Sequence, residues 1–433
     1  MIRTDLYQDL EYRGIVKQVT DPALAELLSG YRVTLYAGFD PTSDSLHVGS
    51  LLPLLTLRRF QLAGHRPIAV VGGATGMIGD PSGKSQERNL LDDEQIAHNL
   101  RGISAVIARF LELKGKDAGL VVNNADWFKG MDYIRFLRDI GKHFTINHMM
   151  AKESVRARLE DREHGISYTE FSYMLLQAYD FYVLNRQNGC QLQIGGSDQW
   201  GNITAGIELI RRIRATEEKA KQPGEVFGMT HPLVSKSDGT KFGKTEKGTV
   251  WLDANRTSPY QFYQFFVQTA DADVVNYLKF FTFLAHDEIS HLEELVKKDP
   301  AKREAQTKLA REMTKLVHGE KELERAERAS EALFGGGIAE LDERTLLDAF
   351  SEAPSTRVDK TRLGALTLVD LLAETGLSGS KGAARKDIAG GGIYLNNERV
   401  SDPATTVAST ALIAGGYVVL RKGKKTYHLV SFT

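Results

Sequence analysis

The stretch Tyr36-Ala-Gly-Phe-Asp-Pro-Thr-Ser-Asp-Ser-Leu-His-Val-Gly-Ser50 decides how the rest of the chain is read. The residues before it, Val33 to Tyr36, have the pattern of a short buried strand. The residues after it, Leu51 to Ala63, repeat leucine at helical spacing and predict a helix. Between them Gly38, Pro41, Thr42, His47 and Gly49 form a tight polar turn. A strand, a turn and a helix start aim backbone N–H groups and the positive end of a helix dipole at an anion, most commonly a phosphate. Taken alone, the stretch fits equally a surface turn with a helix-capping histidine.

Two phosphate motifs fail here. Gly83-Lys-Ser85 lacks the P-loop glycine five residues earlier, where Ile78 stands. The glycines of Gly72-Gly-Ala-Thr-Gly-Met-Ile-Gly79 do not have dinucleotide-fingerprint spacing. What remains is His-x-Gly with Thr42 five residues before His47, a neutral imidazole and a hydroxyl able to donate to a phosphate as its charge grows.

Working outward, Pro67 to Val71 is a fully apolar run suited to a buried parallel strand, and a glycine-rich loop follows it. A helix is expected from about Asp92 to Lys114, then a strand over Gly119 to Val122. This alternation predicts an α/β fold, a doubly wound parallel nucleotide-binding sheet with ligands at the strands' carboxyl ends. Tyr168 to Asn185 predicts a helix with Tyr173, Gln177 and Asp180 on one face, either a polar site or a solvated surface. Cys190 to Ile194 reads as a strand, with Gly195, Gly196, Asp198 and Gln199 opening the next helix. Ser235 to Thr245 is a cationic loop with three lysines. Beyond Trp251 the pattern is helical, and a small α+β module with basic clusters closes the chain. The expected domains are a catalytic one over 1–230 with a connecting insertion at about 128–165, a helical one over 231–340, a linker over 341–365 and the small module over 366–433.

The 433 residues suffice for two or three cored domains. The 55 basic and 56 acidic side chains leave a net charge of −1, so a polyanionic partner must be met by local patches. One cysteine, Cys190, excludes an intrachain disulfide and fits a cytoplasmic location. No signal peptide or membrane-length apolar run is read.

Tyr36 to Gly49 resembles the first signature of class I aminoacyl-tRNA synthetases in the form carried by bacterial tyrosyl-tRNA synthetases. Lys241-Phe-Gly-Lys-Thr245 resembles the second signature, in the right order. The last module is similar to the small RNA-binding fold those enzymes carry there. Ser50 departs from the family, which usually has His or Asn at that position.

The resemblance implies activation of L-tyrosine by ATP, as its Mg²⁺ complex, followed by transfer to tRNA(Tyr). It implies that Tyr36 and Asp180 hold the phenol, and Asp80, Tyr173 and Gln177 the ammonium, with Gln199 near the carboxylate. Gly38, Asp40, Ser50, Gly196 and Asp198 would line the nucleotide. Thr42, His47, Lys84, Arg88, Lys241, Lys244 and Thr245 would contact the phosphates. Lys381, Arg385, Lys386, Arg421, Lys422, Lys424 and Lys425 would meet the tRNA, and the chain would act as a homodimer. No protein metal site is expected. A catalytically impaired RNA-binding relative and a tryptophan-activating one are the alternatives.

Overall fold

A computed structural model describes the chain except residues 1–4, 83–90, 117, 153–154, 157–158, 160–164, 217–223, 246–247, 334–336, 340, 352 and 424–425. The expected site residues Lys84, Arg88, Lys424 and Lys425 lie outside the described residues.

The chain divides into two compact units, Met1–Asp253 with Ala270–Pro300, and Ala254–Thr269 with Ala301–Thr433. This differs from the sequential division read from the sequence, because the helices Asp271–Phe281 and His286–Lys298 belong to the first unit.

The first unit is built on a six-stranded sheet of β1 (Gln18–Val19), β2 (Thr34–Phe39), β3 (Arg66–Val71), β4 (Leu120–Asn123), β5 (Cys190–Gly196) and β6 (Phe227–His231). The strand order is β1-β6-β5-β2-β3-β4. All neighbours are parallel except the two-residue edge strand β1, which runs antiparallel to β6. Buried strands of a parallel sheet read as continuous apolar runs, as in Ile68, Ala69, Val70 and Val71. The order reverses between β2 and β5. Their carboxyl ends, Gly38 to Asp40 and Gly195 to Gly196, therefore open the crevice where ligands bind in such sheets.

The Leu51–Leu62 helix follows β2 and is buried on several sides, through Leu51, Leu54, Leu55 and Phe60. Its Pro53 sits in the first turn, where no intrahelical N–H bond is lost. The helix expected over Asp92–Lys114 spans Asp93–Ile107; Asp92 caps it by accepting from the Gln95 N–H. The Tyr168–Asn188 helix is capped by Ser167 and ended by Gly189 in the left-handed region. A short hairpin, β7 (Lys244–Thr245) and β8 (Gly248–Thr249), carries the end of the second motif.

In the second unit the helices Pro259–Val267, Glu304–His318 and Glu320–Leu333 pack together, the first with Ser258 and Gln261 forming a capping box. A five-stranded sheet follows, of β9 (Ser355–Val358), β10 (Ile393–Leu395), β11 (Glu398–Arg399), β12 (Tyr417–Lys422) and β13 (Thr426–Phe432). The span expected as a linker, 341–365, is structured. It holds the Glu343–Ala349 helix, whose Leu346 is fully buried, and β9, which pairs parallel with β13. Apolar burial there was hidden by the polar residues around Ala353-Pro-Ser355.

Candidate active site

Tyr36 lies on β2, between Ile68 of β3 and Gln193 of β5. It is 1% exposed and packs on Phe181, ring centroids 5.4 Å apart. Among the described residues its hydroxyl has no hydrogen-bond partner. An unpaired buried hydroxyl costs about 1–3 kcal/mol. Burial and the nearby Asp180 charge hold the phenol well above its usual range.

Asp180 and Tyr173 project from the Tyr168–Asn188 helix into the buried interior, and Gln177 between them is half-buried. The polar stripe therefore faces the interior and not bulk solvent. Asp180 accepts from Trp127 Nε1 at 2.8 Å and Asn124 Nδ2 at 3.1 Å. Burial pushes its carboxyl up to about 7, against the pull of those two hydrogen bonds.

A relay of side chains continues from there. Asn124 Nδ2 also donates to Thr75 Oγ1 at 3.0 Å, and Thr75 donates to Asp40 Oδ1 at 3.0 Å. Tyr173 donates its hydroxyl to Asp40 Oδ2 at 3.2 Å. Gly72 allows this approach, since a Cβ there would stand 2.4 Å from both Asp40 Oδ1 and Thr75 Oγ1.

A second cluster surrounds Asp80. Gln199 Nε2 donates to Asp80 Oδ2 at 2.6 Å, and Gln177 Nε2 donates to Gln199 Oε1 at 3.2 Å. Asn202 Nδ2 reaches Asp80, Ser82, Gln177 and Gln199 at 3.1–3.5 Å. Asp198 stands beside the glycine turn after β5, where a Cβ on Gly196 would meet its Oδ1 at 2.4 Å. Burial and the Asp80 charge raise its carboxyl pKa.

The two motifs meet through backbone. Val48 N–H donates to Val250 O at 3.0 Å, Leu252 N–H to Leu46 O at 2.9 Å, and Val250 N–H to Gly243 O at 3.0 Å. Gly243 has φ +82°, and a Cβ there would meet Val48 Cγ2 at 2.5 Å. His47 caps the short helical turn before Leu51: the Gly49 N–H donates to its Nδ1 at 2.9 Å. The neutral ring then carries its proton on Nε2, on an exposed side chain, as a donor. Thr42, Lys241, Lys244 and Thr245 are also exposed; Thr245 Oγ1 donates to Gly248 O. Gly38 is exposed and Ser50 half-buried at the same end of the sheet.

In the second unit, Lys381, Arg385 and Lys386 are exposed on the Lys381–Ala389 helix. Lys381 pairs with Asp370 at 2.7 Å and Lys422 with Asp387 at 2.6 Å. Arg421 stacks on Tyr394, 3.7 Å from the ring centroid.

Sequence reasoning gave no role to Asn124, Trp127, Thr75, Ser82 or Asn202. The strand-end sequence Asn123-Asn-Ala-Asp-Trp127 was the available signal for the first two.

Residues 29–335 match the family model of class I tRNA synthetases (W and Y), and residues 345–430 that of the tyrosine–tRNA ligase SYY-like C-terminal domain. The chain is 53% identical over 430 residues to the tyrosine–tRNA ligase of Bacillus caldotenax, covering 99% of this chain and 100% of that one. The chain belongs to the tyrosine–tRNA ligase family. Tyrosine–tRNA ligase 1 of Bacillus subtilis is 52% identical over 431 residues, with 99% and 100% covered. A C-terminally truncated mitochondrial tyrosyl-tRNA synthetase of Aspergillus nidulans superposes with TM-score 0.68 at 33% identity, over 77% of this chain and 95% of that one. The α/β fold read from the alternation of strands and helices stands, as does the small C-terminal module.

Proposed function

We infer that this chain is a tyrosine–tRNA ligase, joining L-tyrosine to ATP to give tyrosyl-adenylate and pyrophosphate, then passing the tyrosyl group to the 3′-terminal ribose of tRNA(Tyr) and releasing AMP. The names of its relatives at 52–53% identity support this reading. The observation that carries it within the site is the buried pair of Tyr36, with an unpartnered hydroxyl, and Asp180, with a carboxylate held by two donors. A substrate phenol pairs with both. A phenylalanine ring would leave the Tyr36 hydroxyl unsatisfied, at a cost of about 1–3 kcal/mol, and would offer Asp180 no donor beyond the two it has.

The ammonium is met by the Asp80, Tyr173 and Gln177 polar groups, with Gln199 beside the carboxylate. Gly38, Asp40, Ser50, Gly196 and Asp198 line the nucleotide. The substrate carboxylate attacks the α-phosphorus directly, so the protein's task is positioning and charge stabilisation. His47 Nε2–H and the Thr42 hydroxyl donate to phosphate oxygens as charge grows on pyrophosphate. Lys84, Arg88, Lys241, Lys244 and Thr245 add cationic and hydroxyl donors there. ATP arrives as its Mg²⁺ complex, the ion carried by phosphates and water.

Lys381, Arg385, Lys386, Arg421, Lys422, Lys424 and Lys425 contact tRNA phosphates. Tyr133 and Ile134, 58% and 70% exposed, and Ile146 and Met150, 58% and 44% exposed, are large apolar side chains open to solvent, in keeping with a homodimer. No described helix is long and apolar enough to cross a membrane; a cytoplasmic location fits the single, buried cysteine. A catalytically impaired relative is not favoured, since Asp80, Gln199 and the lysine loop are all present.

The test is amino-acid-dependent ATP–pyrophosphate exchange with tyrosine, phenylalanine and tryptophan, repeated with Asp180→Asn. Exchange with tyrosine alone, damaged by the substitution, is expected. Exchange with none of the three would overturn the reading.

A further inference from the structure

The Asp271–Phe281 helix turns Asp273, Tyr277 and Phe281, four residues apart and so on one face, toward the loop that carries the second motif. Asp273 is buried, and both of its oxygens accept from Ser237: Oδ1 from the N–H at 2.9 Å, and Oδ2 from the N–H and Oγ at 3.2 Å each. Tyr277 donates its hydroxyl to Ser235 O at 3.1 Å. Phe242 lies against Tyr277 and Phe281, ring centroids 4.8 and 5.1 Å apart. Phe242 carries the buried side chain between the exposed Lys241 and Lys244. Where its ring sits, the two ammonium groups follow.

The helix is itself pinned at its far end. Arg13 donates to Lys279 O, in the last turn of the helix, and to Thr282 O and Leu284 O just beyond it, at 3.3, 3.2 and 2.7 Å. Asp9 holds Arg13 Nε at 2.9 Å, both side chains buried. The loop bends through Gly239 and Gly243, at φ +81° and +82°, a conformation that favours glycine. A rigid base with glycine bends above it sets the arc that the lysines can sweep.

We propose that Asp273, backed by Tyr277 and Phe281, is a positioning residue for tyrosine activation: it fixes the base of the Ser235–Thr245 loop so that Lys241 and Lys244 meet the ATP phosphates. This rests on the role proposed above for those lysines. Asp273 acts through the loop and touches no substrate.

The experiment is single-turnover tyrosine activation by the full chain, with Asp273→Ala, Asp273→Asn and Tyr277→Phe made in both wild-type and Lys244→Ala backgrounds. In the wild-type background Asp273→Ala lowers the activation rate about tenfold or more and raises the KM for ATP, because misplacing a contacting group by about 1 Å can cost a hundredfold. The KM for tyrosine stays within about twofold. Asp273→Asn keeps an acceptor for the Ser237 N–H and recovers most of the rate. With Lys244 gone, the Asp273 substitutions cost far less, since coupled groups are not additive. Equal losses in both backgrounds, or matched rises in the KM for ATP and tyrosine, would reduce Asp273 to a structural residue and overturn the proposal. Should Asp273→Ala not fold, Tyr277→Phe, which removes one hydroxyl and keeps the ring, decides by the same comparison. A Lys244→Ala enzyme as fast as wild type would overturn the lysine assignment and this proposal with it; a slow one with indifferent Asp273 variants overturns this proposal alone.

Discussion

The indole N–H of Trp127, in the helical turn after β4, donates to Oδ1 of Asp180 on the Tyr168–Asn188 helix at 2.8 Å. That bond favours the charged carboxylate and opposes the burial that raises its pKa to about 7. Trp127→Phe removes the donor, so the pKa of Asp180 rises further. A hydrogen bond to a charged group is worth about 1.5–3 kcal/mol and one pKa unit about 1.4, which predicts a rise of roughly one to two units. The acid limb of kcat/KM for tyrosine should move up in pH by that amount. A limb that stays in place would assign it to another group.

The same carboxyl makes a prediction for stability. Its folded pKa, about 7, lies above the unfolded value near 4, so the folded state holds the proton more tightly. Its contribution is most favourable at acid pH and is lost as pH rises from about 4 through 7. Asp180→Asn abolishes that loss. Its thermal midpoint relative to wild type should rise between pH 5 and pH 8. A constant difference across that range would contradict the assignment.

Gly49 donates its N–H to His47 Nδ1, and a Cβ on Gly49 would stand 2.6 Å from the His47 ring. Gly49→Ala therefore displaces the imidazole that the next turn holds. Single-turnover kinetics should show activation slower by about ten- to a hundredfold, with tyrosine affinity unchanged. A parallel loss of tyrosine affinity would mean the turn holds more than the histidine.

The basic helix of the second unit is separable from the chemistry. Arg385→Glu with Lys386→Glu should weaken tRNA charging and leave tyrosine-dependent ATP–pyrophosphate exchange at the wild-type rate. For every phosphate left without its cation, the salt dependence of tRNA binding should fall by roughly 0.7–0.9 in log–log slope. Unchanged binding at low and high salt would move the RNA interface elsewhere.

Much of the site was legible because its parts sit where a strand gives way to a helix. The turn after β2, the glycines that end β5 and the stripe of Tyr173, Gln177 and Asp180 all show in local spacing. Asn124 and Thr75 did not, because the bond between them joins loops after two different strands, and no local pattern records which strands are neighbours. Asn202 has no local signal either: its place in the first turn of a helix does not show that its amide lies among Asp80, Gln177 and Gln199. Strand β1 is two residues long, too short for any alternation to show. Asp273 was disguised: an acid in the first turn of a helix is favoured by the helix dipole, so its sequence position asked for no further reason.

The first unit is discontinuous in sequence, and this bears on how the protein is made. A ribosome finishing Asp253 has delivered all six strands of the nucleotide sheet and both motifs. The helix that holds Ser237 and Phe242 follows later, after Ala254–Thr269 of the other unit has been synthesised. Until then the lysine loop has no base to rest on. A chain stalled or cleaved before Phe281 would own a complete sheet and a slack loop, and activation competence should appear late in synthesis, as a step separate from the folding of the sheet.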